Sequence, residues 1–421
     1  MRRALSTLGL FAIAALTSAA FGGNVDPSAP GVVHVGRPRA HGPVERVDLA
    51  RTGRATTALP SAPAEVVRRS TGVGAQPPVV LADGTVVVAM ATPEVARFGS
   101  DGAELGRTRI GTSAAVRPPV VLADGGIAVL TGAPSIVFLR ASGKIVATVA
   151  LSRTTFPVAG AAGAEGGAFL SPTLDGGVVI AAGRSFAIVD PSGRFRSQAT
   201  LPERERFATD LVRGAGGWLA VSQSGNVFAL RPPAAPKKVG SFGAAVASTP
   251  ALADERTLVA QVGAGRIVAV DLRTGGAITR ATDPSLSSFD GPFVLDKGGA
   301  TWVTTSEGLL LGFGPTGDEI ARAGIDRPSQ SPTPGPPGAR FAPPVLHRAL
   351  LLADPEGRVA FARAGGKVGV RSPDGRVMIA PERGCTTPLA LLPAGPGKMV
   401  LSCREGGIVF YGNAAEGAAS P

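Results

Sequence analysis

The sequence predicts an all-β protein, an eight-bladed β-propeller of four-stranded antiparallel blades, with seven blades as the alternative count. Three observations lead to this prediction: dense turn residues, a repeated unit of short apolar runs, and the lack of amphipathic helical periodicity. The 421 residues include 58 glycines and 37 prolines, yet 44% are hydrophobic. That is too apolar for a disordered chain, and it suits short strands joined by tight turns.

The repeated unit is a proline, a short apolar run, an Asp-Gly or Gly-Gly turn, and a β-branched run. Pro78–Val88 is matched by Pro119–Val129, with their turns 41 residues apart, and Pro172–Ile180 is a third copy. The third copy comes late because an Ala/Gly-rich insertion, predicted to be a loop, occupies Ala159–Ala168. Weaker copies cover Leu211–Val221, Pro250–Ala260, Pro292–Thr304, Pro344–Ala353 and Pro388–Ser402.

A radial stack of blades explains this period. Each unit holds about four short strands, which cannot bury both faces of a sheet unless neighbouring sheets stack against them. A period of about 40 to 50 residues is typical of propeller blades. The last unit ends before an outer strand, while Glu65–Arg69 precedes the first unit without a partner. We therefore expect the N-terminal strand to complete the last blade, within a propeller spanning residues 63–412 and followed by a flexible tail, 413–421.

The N-terminus has the features of a secretory signal. Arg2 and Arg3 precede the apolar run Leu8–Leu16, and small residues follow at Ser18. The run is about half of the roughly 20 residues that span a bilayer, so we expect cleavage near residue 20 and no integral membrane span. An uncleaved anchor is the alternative. Residues 21–62 are predicted to be a Pro/Gly-rich linker and lead-in, and the mature chain to be periplasmic or extracellular.

Two cysteines, Cys385 and Cys403, occur near the C-terminus. In an oxidising compartment we expect them to form a structural disulfide that stabilises the last blade by about 3 kcal/mol. Two free buried thiols are the alternative.

The repeat resembles the quinoprotein-like, or pyrroloquinoline-quinone-repeat, propeller family. The resemblance is best seen in Gly265–Asp271 followed by Thr274 and Gly275, and the lead-in Asp48–Arg54 is similar to the start of such proteins. This family includes quinone- and calcium-dependent dehydrogenases and the propeller subunit of the outer-membrane β-barrel assembly machinery. The resemblance therefore implies either a cofactor-dependent enzyme or an envelope scaffold.

The motifs of catalysis are not found. Adjacent cysteines, which hold the quinone in the family's dehydrogenases, do not occur. The acids Asp83, Asp124 and Asp175 lie in hairpin turns, where a turn-capping role comes first. The histidines His34, His41 and His347 lack zinc-ligand spacing. We predict no catalytic residues, no cofactor and no metal.

Two further segments are predicted to be connections between blades. Glu203–Arg206 alternates charge, which favours a solvated loop with a partner contact as the alternative. Ser329–Gly338 is typical of a flexible or polyproline-like excursion. Leu295–Trp302 resembles the Asp-box of sialidase propellers, but it has one extra residue and occurs once, so we interpret it as a coincidence.

The charge favours anionic partners. The formal net charge is +11, and it falls to +9 when the two arginines of the signal are removed. Export and 5% aromatic residues argue against nucleic acid. The sequence thus predicts a monomeric, non-enzymatic propeller of the cell envelope that holds a protein or an anionic glycan with loops on one face. A quinone- and calcium-dependent dehydrogenase-like or glycan-cleaving propeller enzyme is the alternative.

Overall fold

A computed structural model describes residues 53–152, 156, 168–214, 216–231, 233–263, 265–282, 289–325, 349–381 and 384–414. Within these ranges the named secondary-structure elements are all β-strands. No helix in the described residues is long and apolar enough to cross a membrane. The predicted signal, the three histidines and Ser329–Gly338 lie outside the described residues, as does nearly all of the Ala159–Ala168 insertion.

The strands form eight four-stranded antiparallel sheets arranged as a β-propeller, which confirms the predicted fold class. Blade 1 contains β2 Val79–Val80, β3 Val86–Ala89, β4 Glu94–Phe98 and β5 Glu104–Arg109, and blade 2 contains β6 Val120–Val121, β7 Ile127–Thr131, β8 Ser135–Leu139 and β9 Ile145–Ala150. Blade 3 contains β10 Phe169–Pro172, β11 Val178–Ala182, β12 Ser185–Val189 and β13 Phe195–Thr200, and blade 4 contains β14 Val212–Gly214, β15 Gly217–Val221, β16 Asn226–Leu230 and β17 Lys237–Ser241.

Blades 5 to 8 continue this order along the chain. Blade 5 contains β18 Ala251–Leu252, β19 Thr257–Val262, β20 Arg266–Asp271 and β21 Ala277–Thr282, and blade 6 contains β22 Val294–Leu295, β23 Thr301–Thr304, β24 Leu309–Phe313 and β25 Glu319–Gly324. Blade 7 contains β26 Leu350–Ala353, β27 Val359–Ala362, β28 Val368–Arg371 and β29 Val377–Ile379. Blade 8 contains β30 Pro388–Pro393, β31 Met399–Cys403 and β32 Gly407–Asn413, and its fourth strand is β1 Pro63–Ser70.

The meander order gives the ring two different faces. The hairpins that join the first strand to the second and the third to the fourth lie on one side, which we call the turn face. The links between second and third strands, together with the connections from blade to blade, lie on the opposite side, which we call the loop face. The first strand of each blade is innermost, and its free edge faces the centre of the ring.

The core lies between the blades. Among the described residues, seven clusters of buried aliphatic and aromatic side chains fill the interfaces, and all but one join two neighbouring blades. The exception, which includes Ala362, Tyr411 and Val88, runs through blades 7, 8 and 1. Because strand residues alternate between the two sides of a sheet, each blade contributes to the interface on either side.

The outer strands carry a β-bulge in seven of the eight described blades. The bulge interrupts the ladder, so that Leu105 of blade 1 and Ile320 of blade 6 stand out to solvent, 50% and 52% exposed. A bulge twists a free edge away from flat pairing, which protects a sheet from joining another sheet edge to edge.

The N-terminal strand closes the ring, as predicted. β1 pairs with β32 in antiparallel register from Pro63 opposite Asn413 to Ser70 opposite Gly407, so blade 8 takes its outer strand from the start of the propeller. Cys385 lies shortly before β30, and Cys403 is the last residue of β31. A disulfide joins them in this blade.

Removing this disulfide tests its contribution to ring closure. We expect the double variant Cys385→Ala, Cys403→Ala to lose about 3 kcal/mol of unfolding free energy, because the cross-link restricts the unfolded chain. Urea unfolding followed by tryptophan fluorescence measures the change. Dithiothreitol should shift the wild-type midpoint and leave the variant unchanged; an equal midpoint for both proteins without reductant would show that the bond contributes nothing.

Candidate functional site

The acids that the sequence placed in turns serve those turns. Asp83 Oδ1 accepts a hydrogen bond from the Thr85 amide at 2.9 Å, and Asp124 Oδ1 accepts one from the Gly126 amide at 2.8 Å. Both lie on the turn face. Their first role is therefore to cap hairpins, as predicted.

Asp175 lies in the equivalent hairpin turn of blade 3, and it also pairs with a residue of the outer strand. It accepts a hydrogen bond from the Thr173 hydroxyl and forms an ion pair with Arg196, the bulged residue of β13. The hydrogen bond from Arg196 holds the pKa of the Asp175 carboxyl well below its usual range. This acid is thus a fixed anion that ties the outer strand to the turn.

The turn that resembles an Asp-box is held by its own side chains. Asp296 Oδ1 accepts from the Ala300 amide and Oδ2 from the indole Nε1 of Trp302, both at 2.9 Å. The carboxylate therefore fixes the tryptophan at the start of β23. This geometry gives the segment a structural role in blade 6.

One group of described residues has metal-ligand spacing, formed by Cys385, Cys403 and Glu405. The two sulfur atoms are joined to each other. The Glu405 carboxylate accepts hydrogen bonds from the backbone amides of Thr386 and Thr387. A thiolate is the form of cysteine that ligates metal, so this group is a poor cation site while the disulfide persists.

Blades 5 to 7 place polar side chains at the loop-face ends of their second strands. The residues are Gln261 in blade 5, Thr304 and Thr305 in blade 6, and Arg363 in blade 7, and all are at most 7% exposed. In blade 1 the matching end of the second strand carries the apolar Ala89 and Met90, whereas blades 2, 4 and 8 have the small buried hydroxyl residues Thr131, Ser222 and Ser402 there. We call Gln261, Thr304, Thr305 and Arg363, together with Ser248 and Asp290, the loop-face polar site.

A buried ion pair lies at the centre of this site. Arg363 Nη2 is 3.2 Å from Asp290 Oδ2, and each side chain is 8% exposed. The Thr304 hydroxyl donates to the Asp290 carbonyl at 2.7 Å, and the Ala349 amide donates to the same carbonyl at 3.2 Å. Asp290 precedes β22 and Arg363 follows β27, so the pair joins blade 6 to blade 7.

Blade 5 contributes two polar side chains to this site. Gln261 is 5% exposed and lies at the loop-face end of β19. The Ser248 hydroxyl is buried and has no hydrogen-bond partner within the described ranges. The Ala247 amide donates to the Gln261 carbonyl at 2.8 Å, which places Ser248 beside the end of the strand. Buried polar groups normally have partners, so unsatisfied ones mark a candidate binding position.

A second polar cluster lies on the loop face of blade 4. Glu205 accepts hydrogen bonds from the Ser224 hydroxyl and the Asn226 side-chain amide, both at 2.7 Å. Burial raises the pKa of Glu205, but hydrogen bonds from Ser222, Ser224 and Asn226 lower it, and the net direction is down. Of the charged segment Glu203–Arg206, which lies in the connection between blades 3 and 4 as predicted, Glu205 is therefore fixed while the other three side chains are exposed.

Sequence inspection did not find the loop-face polar site. Gln261, Asp290 and Arg363 are distant in sequence and share no motif. The available signal was positional, because the copies in blades 2 and 4 have Leu130 and Val221 where blade 5 has Gln261. Only an alignment of the repeats in their true register would have shown a polar residue at an apolar position.

Comparisons with known proteins agree on the fold. No protein-family model matches the chain, and no curated protein matches it. The computationally designed Ika8 protein is 12% identical, with 85% of this chain and 99% of that chain covered and a TM-score of 0.56. Dihydro-heme d1 dehydrogenase NirN in complex with DHE is 14% identical over 71% of this chain and 64% of that chain, with a TM-score of 0.50. BamB from Moraxella catarrhalis is 12% identical over 80% and 82%, with a TM-score of 0.43. At these identities the similarity shows the fold alone.

The buried ion pair is open to a double-mutant test. We expect Arg363→Met to cost roughly 3–5 kcal/mol of unfolding free energy, because it leaves the Asp290 carboxylate buried without its charge partner. Adding Asp290→Leu should restore most of that loss, since the buried charge is then gone. Urea denaturation of both variants and of Arg376→Met, whose ion pair is exposed, provides the comparison. If the Arg363 and Arg376 variants lose the same small amount, the pair is not a buried clamp.

Proposed function

We propose that this chain is an exported, non-enzymatic binding propeller that holds a protein or an anionic glycan on its loop face. The observation that carries the proposal is the buried Gln261 side chain at the end of β19 beside Ser248, whose buried hydroxyl has no hydrogen-bond partner within the described ranges. An amide and a hydroxyl can each donate and accept, so together they match a peptide group or a sugar hydroxyl.

The surroundings of these groups support recognition over catalysis. Gln261 lies in β19, one residue before its end, and Ser248 follows Ala247, whose amide donates to the Gln261 carbonyl, so backbone hydrogen bonds position both residues. The nearby acid and base, Asp290 and Arg363, already neutralise each other. Rigid placement of polar groups lowers the entropic cost of binding, whereas an acid–base catalyst needs a group that is free to exchange a proton.

Charge and compartment supply the rest of the proposal. The formal net charge, +11 for the full sequence and +9 without the two arginines of the signal, attracts anionic partners over a distance set by the salt concentration. The basic, apolar N-terminus and the disulfide of blade 8 both fit an oxidising compartment outside the cytoplasm. We therefore place the protein in the cell envelope, as a monomer whose loop face meets its partner.

A capture experiment tests the loop face directly. The wild-type protein, Gln261→Ala and Gln198→Ala are cross-linked in the native envelope, purified and compared by mass spectrometry. Gln198 lies exposed on the outer strand β13 and serves as the matched control. We expect one defined complex whose yield falls about three- to tenfold in Gln261→Ala, the value of one lost hydrogen bond, and is unchanged in Gln198→Ala.

Recovery of the propeller alone would contradict the proposal, and so would equal yields from both variants. The enzyme alternative makes a different prediction, which thermal-shift titrations with calcium, pyrroloquinoline quinone and anionic oligosaccharides would reveal. A shift with calcium and quinone together would favour the dehydrogenase-like alternative, and turnover of an oligosaccharide would favour the glycan-cleaving one.

A further inference from the structure

The chain places a short extended segment of its own at the centre of the ring. Residues 53–55 run parallel to β26, the innermost strand of blade 7, with Arg54 opposite Ala353. The Ala353 amide donates to the Gly53 carbonyl at 3.1 Å, and the Ala55 amide donates to the Ala353 carbonyl at 2.6 Å. The other edge of β26 is paired with β27, so this contact uses the edge that faces the central channel.

The contact selects particular side chains. Gly53 has a φ of +76°, and a Cβ there would come within 2.7 Å of Val294 Cγ1, so no other residue fits without displacement. Arg54 Nε donates to the Leu295 carbonyl of blade 6 at 3.1 Å. Ala55 is 5% exposed, which leaves room for a small side chain only.

Four residues further on, an apolar anchor holds the segment against the turn face. Leu59 is 1% exposed. Its amide donates to Asp354 Oδ2 at 2.9 Å, and its carbonyl accepts from Arg358 Nη1 at 2.7 Å. The Gly397 amide of blade 8 donates to the Ala58 carbonyl at 2.9 Å. We call residues 53–59 the N-terminal strap.

We propose that the channel-facing edge of blade 7, with the Leu59 pocket, is a peptide-binding site that the chain fills with its own N-terminal strap. The ligand class is an extended segment with glycine, a basic residue and a small residue in succession, and an apolar residue four positions after the small one. Addition of a strand to a free sheet edge is a recurring mode of peptide recognition, in which backbone hydrogen bonds give affinity and side-chain pockets give specificity.

The covalent connection keeps the site occupied. A tethered segment has an effective concentration in the millimolar range, so a free peptide that makes the same contacts cannot displace it at ordinary concentrations. The site therefore binds a second peptide only when the strap is released. The strap runs in the direction of β26, from the loop face towards the turn face, so a replacing peptide would lie in the same direction.

Cutting the strap after folding tests the site. A recognition sequence for a specific protease is inserted after Ser61, an exposed residue between the strap and β1. The folded full chain is cleaved, the released N-terminal segment is removed by gel filtration, and a fluorescent peptide with the sequence of residues 50–61 is titrated by anisotropy. We expect saturable binding to the cleaved protein that is at least tenfold tighter than to the uncleaved protein.

The matched control is the same peptide with Gly53→Val, which should bind at least tenfold more weakly because its Cβ meets Val294. Absence of saturable binding to the cleaved protein, or equal binding of both peptides, would overturn the proposal. Neither outcome bears on the loop-face polar site, whose capture experiment uses the intact chain.

A second measurement covers the case in which the insertion prevents folding. In the full chain, Ala55→Pro removes the amide that bonds to the Ala353 carbonyl. We expect hydrogen exchange at the Ala353 amide to accelerate at least tenfold in this variant, with no change at Leu252, the innermost-strand residue of blade 5, and the fluorescent peptide to bind the variant. Unchanged exchange at Ala353 would show that the strap is not docked through these bonds and would overturn the proposal.

Discussion

The pairing of β1 with β32 holds the two ends of the propeller together, and the packing of the other blades depends on it. A blade of short strands is apolar on both faces, so a ring that is open at one seam leaves two of those faces in water. The cluster that spans blades 7, 8 and 1 is continuous across this seam. Buried residues such as Tyr411 and Val88 therefore contribute fully only when residues about 340 positions apart in sequence have met.

Closure has a kinetic consequence as well as a thermodynamic one. Within a blade the strands are neighbours in sequence, so their hairpins form from local contacts. The β1–β32 ladder is the most non-local pairing in the fold, and its loop-closure entropy must be overcome before the last interface is buried. The disulfide between Cys385 and Cys403 lies in the same blade. It cross-links the segment before β30 to the end of β31 and so stabilises the part of blade 8 that β1 completes.

The sequence predicted the blades because blade packing has a repeating signature. Apolar runs and Asp-Gly turns recur wherever a hairpin must turn and a strand must be buried, as at Asp83 and Asp124, and the missing outer strand of the last unit indicated the closure. The loop-face polar site has no such signature. Gln261 is polar at the position where blades 1, 2 and 4 have Ala89, Leu130 and Val221, and this difference appears only after the register of these blades is known.

The N-terminal strap was hidden for another physical reason. Its main contacts are backbone hydrogen bonds to Ala353, which any residue but proline can make, so the residues from Gly53 to Ala58 look like a linker. The residues whose side-chain positions are constrained, Gly53, Arg54, Ala55 and Leu59, have no repeat or motif in common. The strap nevertheless lies at the centre of the ring, along the innermost strand of blade 7. The two faces of the ring are therefore not equivalent: on the turn face the strap covers Asp354 and Arg358, whereas on the loop face the buried Ser248 hydroxyl has no partner within the described ranges.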